Sequence, residues 1–231
     1  MGCLFETASA EYLKRNSATF NDAQGMMCAW IYLNSVGTFM IMSSSDELVN
    51  DTFVNFFVTA SILRIGQRNA DILDYLRATT VFIINRWYHV AIVSDGTTYY
   101  FYINGNLETP VILGGANTGD WFADTAGRDN FIIGANEHSG GLLNSFDGII
   151  FDARVYNNSN NHANRIKYIC EHRGCDNDTD GLIGRWKLDE RPEGTVVDID
   201  SVRDISGQDF HMNGVIGGTP EYRAVPMKII K

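Results

Sequence analysis

Between Arg86 and Gly105 the chain reads RWYHVAIVSDGTTYYFYING, two runs of β-branched and aromatic residues joined through Asp95-Gly96 and followed by Asn104-Gly105. Asp-Gly and Asn-Gly supply the positive φ angles that a tight primed turn requires, so the segment predicts an antiparallel hairpin, Arg86 to Ser94 against Thr98 to Asn104. A lone hairpin is marginal in water. The rest of the chain must therefore supply further strands and a shared core.

It does. Leu4-Phe5 and Glu11-Tyr12-Leu13 open the chain, and Met26 to Leu33 (MMCAWIYL) is an apolar run suited to a central strand covered on both faces. Thr38 to Met42 and Thr52 to Thr59 (TFVNFFVT) continue the pattern, and Ser61 to Gln67 alternates apolar with polar as a half-buried strand should. Phe131 to Ala135 and Gly148 to Tyr156 (GIIFDARVY) follow the hairpin. One segment breaks this period: from Asn160 to Arg173, Ala163, Ile166, Ile169 and Cys170 share a helical face. Asn residues precede it as N-caps and Gly174 can end it in a left-handed conformation, which predicts one short helix near 160–173, lying across a sandwich end. Strand signals resume at Leu182 to Leu188 and Phe210 to Ile216. No linker and no internal repeat divides the sequence, so 1–231 reads as a single domain whose strands over 182–220 complete the same sandwich. Only 4 prolines against 22 glycines and an aromatic share of 12% fit turns and strands better than helical bundles.

Charge narrows the partners. With 18 Lys and Arg against 28 Asp and Glu the net charge is −10, a sign that disfavours phosphate backbones and excludes nucleic acid as the expected partner. No apolar run reaches the length of a membrane span, and the opening MGCLFETASAEYLKRNS lacks the basic and apolar regions of a signal peptide. A soluble chain is expected. Cys3, Cys28, Cys170 and Cys175 are too few for a disulfide framework in a chain of this length; Cys170 and Cys175 either pair or stay as thiols.

Four motifs in order resemble the laminin-G-like members of the concanavalin A-like lectin/glucanase superfamily. They are CLFETASAEYLK with Ala29-Trp30-Ile31, the Arg86–Gly105 hairpin, Phe146-Asp147-Gly148 leading into DARVYN at 152–157, and Gly184 to Glu190 followed by Asp204 to Gly207 and Asn213-Gly214. The last is similar to a motif usually found near the start of such domains, so the strand order looks circularly shifted. The resemblance implies an all-β, two-sheet antiparallel jelly-roll. It does not by itself imply a function.

Two groups of residues stand out as sites. Cys175-Asp176-Asn177-Asp178-Thr179-Asp180-Gly181 places Asp176, Asp178 and Asp180 at alternate positions before a glycine, as in calcium loops, although Lys187 stands where a closing carboxylate would be expected. Calcium is thus the candidate cofactor, against the plainer reading of a solvated acidic turn. Trp121-Phe122 lies in the polar stretch 114–129 and either presents rings to a sugar or protein partner or folds back over one end of the core. No pair of carboxylates in a glycosidase arrangement, nucleophile elbow or phosphate loop occurs, so no enzymatic activity is expected. The resemblance and the missing leader lead to a binding or structural module. The first expectation is a phage virion surface protein (capsid decoration or tail-associated), self-assembling or docked on a shell protein. The alternative is a calcium-dependent carbohydrate-binding lectin.

Overall fold

The computed structural model describes residues 2–17, 20–189, 202–215 and 220–223. The strands are β1 (Gly2–Phe5), β2 (Tyr12–Arg15), β3 (Gly25–Leu33), β4 (Thr38–Ser45), β5 (Thr52–Thr59) and β6 (Ile62–Asn69). Next come β7 (Ile72–Val81), β8 (Trp87–Ser94), β9 (Tyr99–Ile103), β10 (Asn106–Glu108), β11 (Val111–Gly114) and β12 (Phe131–Ile133). β13 (Asn136–His138) and β14 (Gly141–Leu143) make a small separate hairpin ahead of β15 (Gly148–Tyr156). After the helix α1 (His162–His172) come β16 (Leu182–Trp186), β17 (Asn213–Val215) and β18 (Glu221–Arg223).

Two antiparallel sheets form the expected jelly-roll sandwich. One runs β10-β9-β8-β3-β15-β1-β18, with β16 also paired to β15; the other runs β11-β7-β6-β5-β4-β12-β2-β17. For brevity they are the first and second sheet. Strands that follow α1 enter both sheets, β16 and β18 the first and β17 the second. The hairpin read from Asp95-Gly96 is present as β8–β9, with Gly96 at φ +83° and Asn104 and Gly105 both in the left-handed region. The Asp95 carboxylate fixes its turn by accepting the backbone N–H groups of Thr97 and Thr98 at 2.9 and 2.8 Å.

Side-chain alternation explains why both faces of β3 are apolar. Met27, Ala29, Ile31 and Leu33 point into the sandwich and join the main core with Val54, Phe56, Val58, Ile65, Phe101 and Trp186. Met26, Cys28 and Trp30 point outward, where two further apolar clusters include Ile166, Ile169 and Cys170 of α1. The helix therefore lies on the outer face of the first sheet, rather than across a sandwich end. The expected helical face shifts accordingly: Ile166, Ile169 and Cys170 are buried, Ala163 is exposed, and Arg165 takes a buried place instead. Asn161 precedes the helix in a left-handed conformation with no side-chain cap, while Arg173 and Gly174 end it at φ +49° and +79°. Cys170 is buried and Cys175 exposed, and they are not bonded to each other. No helix among the described residues is long and apolar enough to cross a membrane.

A candidate ligand-binding face

The acidic loop after α1 does not gather its carboxylates around a common point. Asp176 turns inward and meets Arg154 of β15 at both carboxylate oxygens, one of them 2.7 Å from Nη1. Arg185 of β16 donates to Asp152 at 2.8 Å and lies 3.5 Å from Asp176, so two guanidinium and two carboxylate groups close a buried, neutral quartet. Asp152 reaches it because it occupies a β-bulge in a left-handed conformation between Phe151 and Arg154. Asp178 and Asp180 both answer Arg165 of α1, at 3.1 and 2.5 Å. Each carboxylate of Asp176, Asp178 and Asp180 thus faces an arginine, whose charge opposes a cation. Among the described residues no cluster of three or more His, Cys, Asp or Glu side chains is placed to hold a metal ion. In this arrangement the loop ties the helix to the sheet. Burial alone would raise the Asp176 pKa, but the hydrogen bonds from Arg154 hold it down at about 2.

Of the two readings of Trp121 and Phe122, presented rings or a pair folded back over the core, the structure has the second. Both are in the main core, 0% and 1% exposed, with ring centroids 5.0 Å apart. Their loop is folded in by Arg128, whose guanidinium donates to the carbonyls of Phe20, Phe122 and Thr125 and to Ser44 Oγ, all at 2.7–2.8 Å, and lies over the Phe122 ring. Buried Asp74 holds the other end, accepting the Ala116 N–H at 2.9 Å and the Thr118 hydroxyl. A ring with no exposed face cannot stack on a sugar.

With the first sheet roofed by α1, the outer face of the second sheet is where a ligand can meet strands directly. Register sets its surface in rows. Asn55, Gly66 and Tyr75 stand side by side across β5, β6 and β7; Phe57, Arg64 and Arg77 form the row on one side and Phe53, Arg68 and Leu73 the row on the other. Val54, Phe56 and Val58 point the opposite way, into the core, as strand alternation demands.

The middle rows sink into a cup of about 270 Å³ lined by Met40, Phe53, Asn55, Phe57, Gly66, Tyr75 and their neighbours, with Asn136, His138 and Asn144 at the rim. Gly66 opens it: a Cβ there would lie 3.5–3.6 Å from the rings of Phe53, Phe57 and Tyr75, so any larger side chain would occupy the space between them. Phe57 and Tyr75 are nearly parallel at 6.0 Å, and Phe53 stacks with His138 at 6.3 Å.

The rim is anchored from below. Lys14 of β2 bridges Glu47 and Glu137, and the Gly140 N–H donates to the Glu47 carbonyl at 2.7 Å, fixing the β13–β14 hairpin and with it His138. Asn144 Nδ2 donates to Asn136 Oδ1 at 3.2 Å.

Two polar atoms in the cup are buried without a partner, Asn55 Oδ1 and His138 Nδ1. A buried polar atom that makes no hydrogen bond costs stability, on the order of 1–3 kcal/mol, unless something else satisfies it. Burial also lowers the His138 pKa, which favours the neutral ring with one donor and one acceptor nitrogen. The cup therefore offers ring faces, an amide and an imidazole, a mixture suited to an amphipathic ring with hydroxyl groups on its edge.

None of these residues was singled out from the sequence. The strand β7, which carries Tyr75, was not anticipated either. Its inward row is Asp74, Leu76 and Ala78, and the buried carboxylate of Asp74 breaks the apolar alternation that marks a strand. The turn before it uses Ala70 at φ +53°, with neither Gly nor Asn at that position to announce it.

Comparison with known proteins agrees with this architecture. The laminin-G model described as the concanavalin A-like lectin/glucanases superfamily matches residues 7–164. No curated protein matches in sequence. Among solved structures, a putative carbohydrate binding protein from Bacteroides ovatus aligns with a TM-score of 0.64 and 21% identity, over 99% of this chain and 61% of its own. The CBM40 of the Ruminococcus gnavus IT-sialidase, bound to α2,3 sialyllactose, aligns with a TM-score of 0.61 and 16% identity, over 74% of this chain and 95% of its own. A heptameric SAP-like pentraxin from Limulus polyphemus aligns at 0.57 and 18%, over 89% and 88%. At these identities the likeness is one of fold. Motifs, sheet order and family match agree, and the chain belongs to the concanavalin A-like lectin/glucanases superfamily.

Proposed function

We propose that this chain is a non-catalytic carbohydrate-binding module that holds its sugar on the outer face of the second sheet. The observation that carries the reading is the cup itself: Asn55 Oδ1 and His138 Nδ1, buried and unpartnered, beside the rings of Phe53, Phe57 and Tyr75. Sugar rings present C–H groups that pack on aromatic faces and hydroxyls that satisfy such orphaned atoms. The volume is at the small end for ligand pockets, which suits one ring held at its edge rather than a long enclosed chain. Glycoside hydrolysis uses two carboxyl groups about 5–10 Å apart, and the residues lining the cup include none. Similar solved structures of carbohydrate-binding proteins support the reading.

A glycan array probed with the wild-type chain and with Tyr75→Ala tests it. Binding that disappears in Tyr75→Ala, with the melting temperature kept within a few degrees, is the expected result. A flat array, or equal binding by the variant, would overturn it.

A second reading, assembly into a larger structure such as a virion surface, is favoured by one feature. Ile72 and Leu73 of β7 and Ile112 and Leu113 of the edge strand β11 are exposed, Ile72 and Ile112 by 62% and 52%. An apolar edge with free backbone groups invites a protein neighbour. Light scattering across a concentration series decides: an oligomer that Leu113→Lys dissolves supports this use of the edge, and a monomer throughout argues against it.

A further inference from the structure

Beside the cup, Arg64 of β6 and Arg77 of β7 stand directly opposite each other on the same outer face, in the row that Phe57 completes. Like charges placed opposite each other across two strands are destabilising. The three arginines buried elsewhere are matched, whereas Arg15 and Arg68, nearer solvent, donate only to backbone carbonyls. Arg154, Arg185 and Arg165 each meet aspartates, and Arg128 caps carbonyl groups. By contrast, Arg64 donates from Nη1 to the Tyr75 hydroxyl at 2.6 Å and lies over the Tyr75 ring, while its buried Nε has no partner. Arg77 donates to the neighbouring Ala78 carbonyl at 3.2 Å. Neither forms an ion pair with a carboxylate among the described residues, in a chain where acids exceed bases by ten.

Resting on the sugar-binding reading above, we infer that the ligand is an acidic sugar whose anionic group sits between Arg64 and Arg77 while its ring enters the cup. The guanidinium fork of Arg64 is held in place by Tyr75, so its geometry is set before a ligand arrives. A carboxylate or sulfate lying between the two arginines would relieve their repulsion and accept charge-assisted hydrogen bonds. The Tyr75 ring then does two jobs, positioning Arg64 and packing against the sugar. A net-negative surface around a local positive site also selects against acidic ligands that miss it.

The test uses the full chain on matched ligands: lactose, its sialylated counterpart, a glucuronate-terminated disaccharide and a sulfated lactose, each measured by calorimetry at low and moderate salt. The acidic members are expected to bind at least about tenfold tighter than lactose, to weaken as salt rises, and to lose about tenfold in Arg64→Gln and in Arg77→Gln. Which of the sialylated, uronate and sulfated arms binds best identifies the acid group. The variants are expected to melt at or slightly above the wild-type temperature, because each removes a like-charge contact; this control separates a lost ligand contact from a lost fold. Lactose binding as tightly as the acidic sugars, with Arg64→Gln unaffected, would overturn the acidic ligand and leave the sugar-binding cup standing. Binding of none of the four would overturn the acidic ligand, and a flat glycan array beside it would overturn both.

Discussion

Asp176 and Arg154, 22 residues apart in sequence, meet as carboxylate and guanidinium with neither side chain exposed to water. The contact joins the loop after α1 to the outer face of the first sheet, and Arg185 and Asp152 complete it. Because the four charges cancel only as a set, removing one leaves a buried excess. Asp176→Ala is therefore expected to cost about 3–5 kcal/mol, the range for breaking a buried ion pair, read as a fall of the denaturant midpoint. A loss under about 1 kcal/mol would mean that water already shields the pair.

Calcium offers a separate check on the same loop. With Asp176, Asp178 and Asp180 each facing an arginine, millimolar calcium is expected to leave the melting temperature unchanged. A cation that bound only the folded chain would raise it in proportion to the logarithm of its concentration. Such a rise, lost on chelation, would show that the arginines give way to the ion.

His89 makes stability depend on pH. Its ring is buried beside Trp30, both ring nitrogens lack partners, and burial lowers its pKa from 6.5 to about 3. Below about pH 6.5 the unfolded chain takes up a proton that the folded chain refuses. The contribution is therefore intact above that value and is lost progressively as pH falls towards 3, at up to about 1.4 kcal/mol per pH unit. His89→Phe is expected to flatten the fall in melting temperature between pH 6.5 and 4.5. An unchanged slope would place the acid sensitivity elsewhere.

Gly66 separates binding from stability. Its β6 position sits between three rings at ordinary contact distance, and glycine within a strand is unfavourable by about 0.5–1 kcal/mol against alanine. Gly66→Val is expected to hold or raise the melting temperature while abolishing sugar binding, because its methyl groups take the space of the ligand. Retained binding would move the ligand off the cup.

The fold was legible because its signals are local. Asp95-Gly96 dictates a turn, and the alternation of SILRIGQ and the two-sided apolar run MMCAWIYL each dictate a strand, whatever lies elsewhere. The sites were not, because they depend on pairings made at a distance. An Asp-x-Asp-x-Asp-Gly loop reads as a cation site or a solvated turn until Arg154 and Arg185, on two strands that only the sheet brings together, meet its first carboxylate. Trp121-Phe122 reads equally as a surface pair or as a pair folded over the core until Arg128 and Asp74 pull both ends of its loop inward. Tyr75 and Arg64 become neighbours through a register that a buried Asp74 conceals from any count of apolar residues. Length and type of element follow from the chain itself, whereas the company each side chain keeps follows from topology.

The roof formed by α1 gives the molecule a direction. One broad side is closed by packed apolar side chains, so each copy can present strands to a ligand from the other side alone, and under the proposed function a single copy would grip one sugar at a time. Firm attachment to a surface crowded with glycans would then come from the number of copies held together, since a second contact made within a tethered array acts at a high effective concentration. Grip, on such a surface, becomes a matter of how many copies share one support.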